Sequence, residues 1–322
     1  MRPAAFAAGF LAGVAGTLGA ALGVDRLRRY NLREVGAAEG RHPAAGEYVT
    51  VDGVRLHMVQ HGSGRPVLLL HGAAGTLHDF DAVVRPLGER GFRAIALDRP
   101  GHGFSQAIPH SASSAHAQAR LLRSLVRQLG LDRPIVVGYS WSGALALACA
   151  ELWPDEMGAA VLVGGTTHQG EPPRNLLYWL LRTPVADEAL LGLGLVPIGR
   201  PYIAIPLARA FHPQPLDMTY LRRARDVWVR PTAVRAMMED FSTLAETLRR
   251  LRPLYPRLRV PTVVLTGDRD RLVQHRRNSL RFAAQAPAAE LVVLPGVGHA
   301  IPQTRPDALI QAVERAATLS AS

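Results

Sequence analysis

The stretch Val136-Val137-Gly138-Tyr139-Ser140-Trp141-Ser142-Gly143 puts one serine where a hydroxyl could become a nucleophile. A serine hydroxyl attacks poorly unless it is exposed, held in place and set beside a base. An apolar run ending in Gly-x-Ser-x-Ser-Gly predicts a strand that turns sharply into a helix, and the small residues Gly138 and Ser142 leave room for that corner around Ser140. The helix would aim its free amides and the positive end of its dipole at the same spot. A serine in an ordinary strand–helix turn is the competing reading, and the strand and helix patterns on either side weigh against it. Other chemistries lack their residues. The 12 histidines include no H-E-x-x-H or other metal-ligand spacing. The lone cysteine, Cys149, excludes internal disulfides and a cysteine-based zinc site. Gly101 and Gly103 lack the third glycine and helix of a dinucleotide loop.

A corner of this kind needs a framework, and the hydrophobic pattern supplies one. Residues 47–51 and 54–60 flank Asp52-Gly53, a two-residue turn signal, and read as a hairpin. Short apolar runs at 67–70, 94–97, 135–138, 160–163, 262–266 and 291–294 suit strands buried on both faces of a mostly parallel sheet. Amphipathic stretches at 115–129 and 143–152 intervene, so the pattern is α/β with helices on both faces. The alternation stops over 166–261, a segment with many prolines and helix-like pieces at 175–181, 216–227 and 231–251. A connection that long is not a plain loop. It reads as a helical cap inserted into a core formed by 47–165 and 262–322.

Several blocks together resemble the α/β-hydrolase superfamily, in its capped serine-hydrolase branch. Besides the Ser140 elbow, His71-Gly72-Ala73-Ala74-Gly75 follows a strand as an oxyanion loop does. Asp98-Arg99-Pro100-Gly101-His102-Gly103-Phe104-Ser105 resembles the family's D-x-P-G-x-G-x-S turn. Gly267-Asp268-Arg269-Asp270 resembles the acid turn, and Gly298-His299 the histidine loop. Ser142 is a departure, since glycine is usual there. The resemblance implies an eight-stranded sheet and a triad of Ser140 as nucleophile, His299 as base and Asp270 as orienting acid. Asp268 is the alternative acid. It also implies an oxyanion hole made by the backbone N–H groups of Ala73 and Trp141, with no cofactor or metal. His71 is expected to fix its own loop and Cys149 to be a buried packing residue. His78, Trp179 and Met238 are candidates for substrate contact. The expected reaction is hydrolysis of a hydrophobic carboxylic ester through an acyl-enzyme. Carbon–carbon hydrolysis and perhydrolysis suit the same residues. Epoxide hydrolysis and dehalogenation are disfavoured, because those enzymes carry aspartate at the elbow. A non-catalytic binding module would not need the whole set.

Charge adds exclusions. The 322 residues carry a net charge of +11, and every one of the 37 cations is arginine. The arginines are spread among acids rather than gathered with aromatics, so nucleic acid is not an expected partner. Adjacent cap arginines such as Arg222 and Arg223 read as a solvated face. Residues 3–24 carry no charge, enough as a helix to span a hydrocarbon core. With Arg26, Arg28, Arg29 and Arg33 following, residues 1–33 read as a membrane anchor that leaves the catalytic part cytoplasmic. A cleaved signal over 1–23, giving a secreted or periplasmic protein, is the rival. Residues 34–46, rich in glycine, read as a linker.

Overall fold

The computed structural model describes residues 3–168 and 195–321; the side chains of 3–18, 20 and 195–198 are outside that description. Eight strands form one sheet: β1 (Glu47–Val51), β2 (Val54–His61), β3 (Arg65–Leu70), β4 (Phe92–Leu97), β5 (Ile135–Tyr139), β6 (Ala159–Val163), β7 (Thr262–Gly267) and β8 (Ala289–Leu294). Their order is β1-β2-β4-β3-β5-β6-β7-β8. The pairs β1–β2 and β2–β4 are antiparallel and all the others parallel. The side chains of β5 and β6 are buried throughout, as their unbroken apolar runs require of central strands covered on both faces.

The two sides of the sheet are closed by different helices. One holds the helices Ala115–Gln128 and Ser142–Leu152, with Leu122, Leu145, Trp153 and Cys149 in its core. The other packs Phe80, Leu87, Leu309 and Val313 against β3, β5 and β6. Between β6 and β7 lies the helical insert, of which the helices Leu195–Tyr202, Ala204–Phe211, Met218–Val227 and Pro231–Leu251 are described. Asp217 starts the third by accepting from the amides of Thr219 (2.7 Å) and Tyr220 (3.2 Å). Pro231 opens the fourth at a position whose amide needs no partner. The expected helix at 175–181 lies outside the described residues.

The N-terminal reading needs correction. One helix, α1, runs from Pro3 to Arg41, so residues 34–41 are not linker. Its last turns are fastened to the cap. Arg41 makes a two-pronged bond to Asp226 (2.9 and 2.7 Å), Glu34 accepts from Arg200 (2.6 Å), and Glu39 from Arg230 (3.2 Å). Those contacts hold a glycine-containing stretch helical where propensity alone argues against it. Among the described residues no helix is long and apolar enough to cross a membrane. The side chains of 3–18 and 20, on which the anchor reading chiefly rested, are outside that set.

Candidate active site

Ser140 stands at the corner between β5 and the helix Ser142–Leu152, with φ +55°. That left-handed conformation is rare for a residue with a side chain and is kept only where neighbours enforce it. They do so through hydrogen bonds: Ser140 N–H to the Val163 carbonyl (2.9 Å), and Gly143 and Thr166 N–H to the Ser140 carbonyl (3.0 and 2.9 Å). Glycine is needed at 138, where a Cβ would lie 2.1 Å from the Ser142 carbonyl oxygen. Ser142 turns out to be more than a tolerated small residue. Its buried hydroxyl donates to the His71 carbonyl (2.5 Å) and so ties the elbow helix to the loop beside it.

His299 Nε2 lies 2.9 Å from Ser140 Oγ, and His299 Nδ1 lies 2.6 Å from Asp270 Oδ2. A carboxylate against Nδ1 keeps the proton there and leaves Nε2 as an acceptor for the serine proton. The Tyr139 ring stacks on the imidazole at 5.2 Å. Burial alone would raise the Asp270 carboxyl. The electrostatic pull of the His299 ring and its hydrogen bond, with the amides of Val273 (2.9 Å) and Leu272 (2.8 Å), outweigh it and hold the group below the ordinary carboxylate value. Asp268 points elsewhere, accepting from Gly296 N–H at 2.8 Å.

The loop after β3 completes the arrangement. Ala73 and Trp141 both line the cavity next to Ser140, and among the described residues no protein acceptor takes either backbone N–H. Gly72 lets the loop approach, since a Cβ there would sit 2.9 Å from Ser140 Cβ. His71 accepts from Arg99 N–H at Nε2 (2.9 Å), so its Nδ1–H donates to the Gly72 carbonyl (2.8 Å). Burial, with Arg99 and His102 alongside, pushes His71 well below its ordinary range and keeps this tautomer neutral.

The cavity measures about 990 Å³ and is walled mainly by apolar and aromatic side chains, among them Phe211, Trp228, Met237, Met238 and Phe241 from the cap. Met238, a candidate for substrate contact, is among the lining residues. His78 is not: it is absent from the described lining and pairs with Asp81 (2.9 Å) on the turn they share. Trp179 lies outside the described residues. Among the described residues no group of three or more His, Cys, Asp or Glu could hold a metal ion.

Two ties between cap and core escaped the sequence reading. Arg99, fully buried, makes a two-pronged bond to Asp240 on the helix Pro231–Leu251 (3.0 and 2.6 Å). It also donates to the carbonyls of His71 and Gly72 (both 3.1 Å) and lies 4.3 Å over the Trp141 ring. The indole N–H of Trp141 donates to the Asp240 carbonyl (2.9 Å). The second tie joins the cap's Tyr220 to Asp79 (2.7 Å). Each tie left a trace in the sequence: Asp240 is an acid on the buried stripe of Ala233, Ala236 and Thr247, and Asp79 is an acid between Leu77 and Phe80. Arg223 bridges to Asp81 (2.6 Å) instead of being merely solvated.

An eight-stranded, mostly parallel sheet with a serine at the β5 corner and a cap inserted after β6 defines a class of hydrolase-fold proteins. The chain belongs to the alpha/beta hydrolase fold family, whose model matches residues 65–306. It is 38% identical over 118 residues to a 2-hydroxy-6-oxononadienedioate/2-hydroxy-6-oxononatrienedioate hydrolase of Klebsiella pneumoniae. That match covers 35% of this chain and spans about two fifths (41%) of the relative. An uncharacterized protein of Mycobacterium bovis is 28% identical over 299 residues, 89% of this chain and 84% of its own. Among solved structures, a thermophilic esterase from Thermogutta terrifontis superposes with a TM-score of 0.69 at 25% identity, covering 86% of this chain and all (100%) of that one.

Proposed function

We propose that the protein hydrolyses a hydrophobic carboxylic ester through an acyl-enzyme, with Ser140 as nucleophile, His299 as general base and then general acid, and Asp270 orienting the imidazole. The observation that carries the reading is the unbroken relay Asp270–His299–Ser140 at 2.6 and 2.9 Å, opening into a largely apolar cavity. In the proposed sequence Ser140 Oγ adds to the ester carbonyl as its proton passes to His299 Nε2. The N–H groups of Ala73 and Trp141 take the oxyanion charge where it develops. Collapse of the tetrahedral species expels the alcohol, which takes its proton from His299. Water then repeats the cycle on the acyl group. Asp270 stabilises the imidazolium and stays ionised, consistent with its depressed proton affinity. The likeness to the Thermogutta esterase supports this reading.

A fluorophosphonate probe tests it. Ser140 is the expected site of labelling, Ser140→Ala abolishes the adduct, and His299→Ala lowers p-nitrophenyl ester turnover by at least about 10³-fold. Labelling at another residue would refute the assignment. The Klebsiella relative favours a second reading, cleavage of a carbon–carbon bond in a dienol diketone. Faster turnover of such a diketone than of any ester in a panel of acyl lengths would establish it.

A further inference from the structure

Asp79 is an acid that the Ser140 relay does not use. It sits on the short turn Leu77–Phe80 that follows the loop 71–75, is 3% exposed, and lines the cavity with Gly75 and Tyr220. Its Oδ1 accepts from the Tyr220 hydroxyl at 2.7 Å. Its Oδ2 lies against Gly75, where a Cβ would be 2.3 Å away. Two basic side chains come near, but both are committed to Asp81: His78 at 2.9 Å and Arg223 at 2.6 Å. The other ionisable groups that bear on it are Tyr139 on β5 and the acids Asp81 and Asp98. Burial, only partly opposed by Tyr220 and His78, pushes the Asp79 carboxyl up to about 7. A carboxyl so placed is costly to keep, and an apolar residue would fill the wall more stably.

We infer that Asp79, steadied by Tyr220, is the specificity residue of this cavity and hydrogen-bonds a neutral hydroxyl of the substrate, an inference that rests on the ester-hydrolase reading above. A hydroxyl donates to a carboxylate and accepts from a carboxylic acid, so it satisfies Asp79 in either protonation state. An anionic ligand would meet repulsion from the ionised form. The lining cation that would suit it, Arg277, is exposed. A cationic ligand would have to leave water for aromatic and aliphatic walls. The substrate class is therefore a hydroxy ester: an apolar frame with one free hydroxyl, on the acyl or on the alcohol side.

Two near-isosteric pairs of substrates test this on the full chain: 2-hydroxyethyl butanoate against propyl butanoate, and ethyl 3-hydroxybutanoate against ethyl 3-methylbutanoate. A site built to bond a hydroxyl rejects the analogue lacking it. The kcat/KM ratio should favour the hydroxylated member by at least about tenfold in one pair, and that pair identifies the side on which the hydroxyl lies. Asp79→Leu should collapse the ratio to about twofold or less, and Tyr220→Phe should lower it several-fold. If Asp79→Leu does not fold, Tyr220→Phe decides, and an unchanged ratio overturns the inference. Indifference in both pairs by a protein that is labelled at Ser140 and turns over the apolar esters overturns it while sparing the ester-hydrolase reading. A protein inert to all four esters and to the probe loses both.

Discussion

Asp240→Ala removes one partner of a guanidinium that has no route to water. Arg99 is 1% exposed and gives two of its donors to Asp240. Breaking a buried ion pair from one side leaves a desolvated charge and costs about 3–5 kcal/mol. Arg99 keeps three other acceptors, the His71 and Gly72 carbonyls and Gln118 Oε1 at 3.2 Å, and it keeps the face of Trp141. The loss should fall at the lower end, about 3 kcal/mol, or about 4 °C in Tm for a chain of this size. Function should suffer with it, because the same guanidinium holds the carbonyls of the loop that carries Ala73. Urea unfolding followed by circular dichroism measures the first effect, and p-nitrophenyl ester turnover at a temperature where the variant is folded measures the second. Replacing both partners, Arg99→Met with Asp240→Leu, should recover most of the stability without restoring turnover. A single variant within about 0.5 kcal/mol of the parent would refute the claim that this pair clamps cap to core.

Two other outcomes follow from the same geometry. Ser142→Ala takes one of two donors from the buried His71 carbonyl, which keeps Arg99, and should cost about 0.5–1.5 kcal/mol in urea unfolding, whereas no change would mean the elbow does not need that tie. The pH dependence of stability should carry the mark of Asp79. Its folded-state value of about 7 lies above the ordinary 3.8, so the native state holds a proton the unfolded chain releases, and stability falls as pH rises between those values. His102 and His168, pushed by burial to about 4, and His71, pushed well below its ordinary range, give the opposite slope, so the parent's net profile mixes these contributions. Asp79→Asn isolates one of them: it should gain stability over the parent on going from pH 4 to pH 8, by up to a few kcal/mol. A difference that does not change with pH would contradict the burial of an ionisable group at that position.

The sheet was readable because strands covered on both faces must be apolar throughout, and 135–138 and 160–163 are. Ser140 was readable because a tight corner admits only small neighbours at 138 and 142. The choice between Asp268 and Asp270 rested on family likeness, and the chain alone could not make it. Both follow the same strand, and only the fold brings one of them to His299. Contacts across the cap were hidden for a plainer reason. Arg99 and Asp240 are 141 positions apart, as are Asp79 and Tyr220, and hydrophobic periodicity carries no information at that range. His78 lies beside the loop 71–75 along the chain, yet it pairs with Asp81 and is absent from the described cavity lining. The glycines at 36 and 40 suggested a linker, since propensity counts the residue and not the partner that the helix docks against.

That docking makes the first helix a brace for the lid, with Asp226 as the rivet that Arg41, Arg200 and His42 share. Loss of the helix and the residue after it would leave that acid with Arg200 alone, a grip already on the lid. Homologues without the helix should therefore have lost the acid at position 226, or kept a cation at position 200 to hold it. The two traits should rise and fall together across the family.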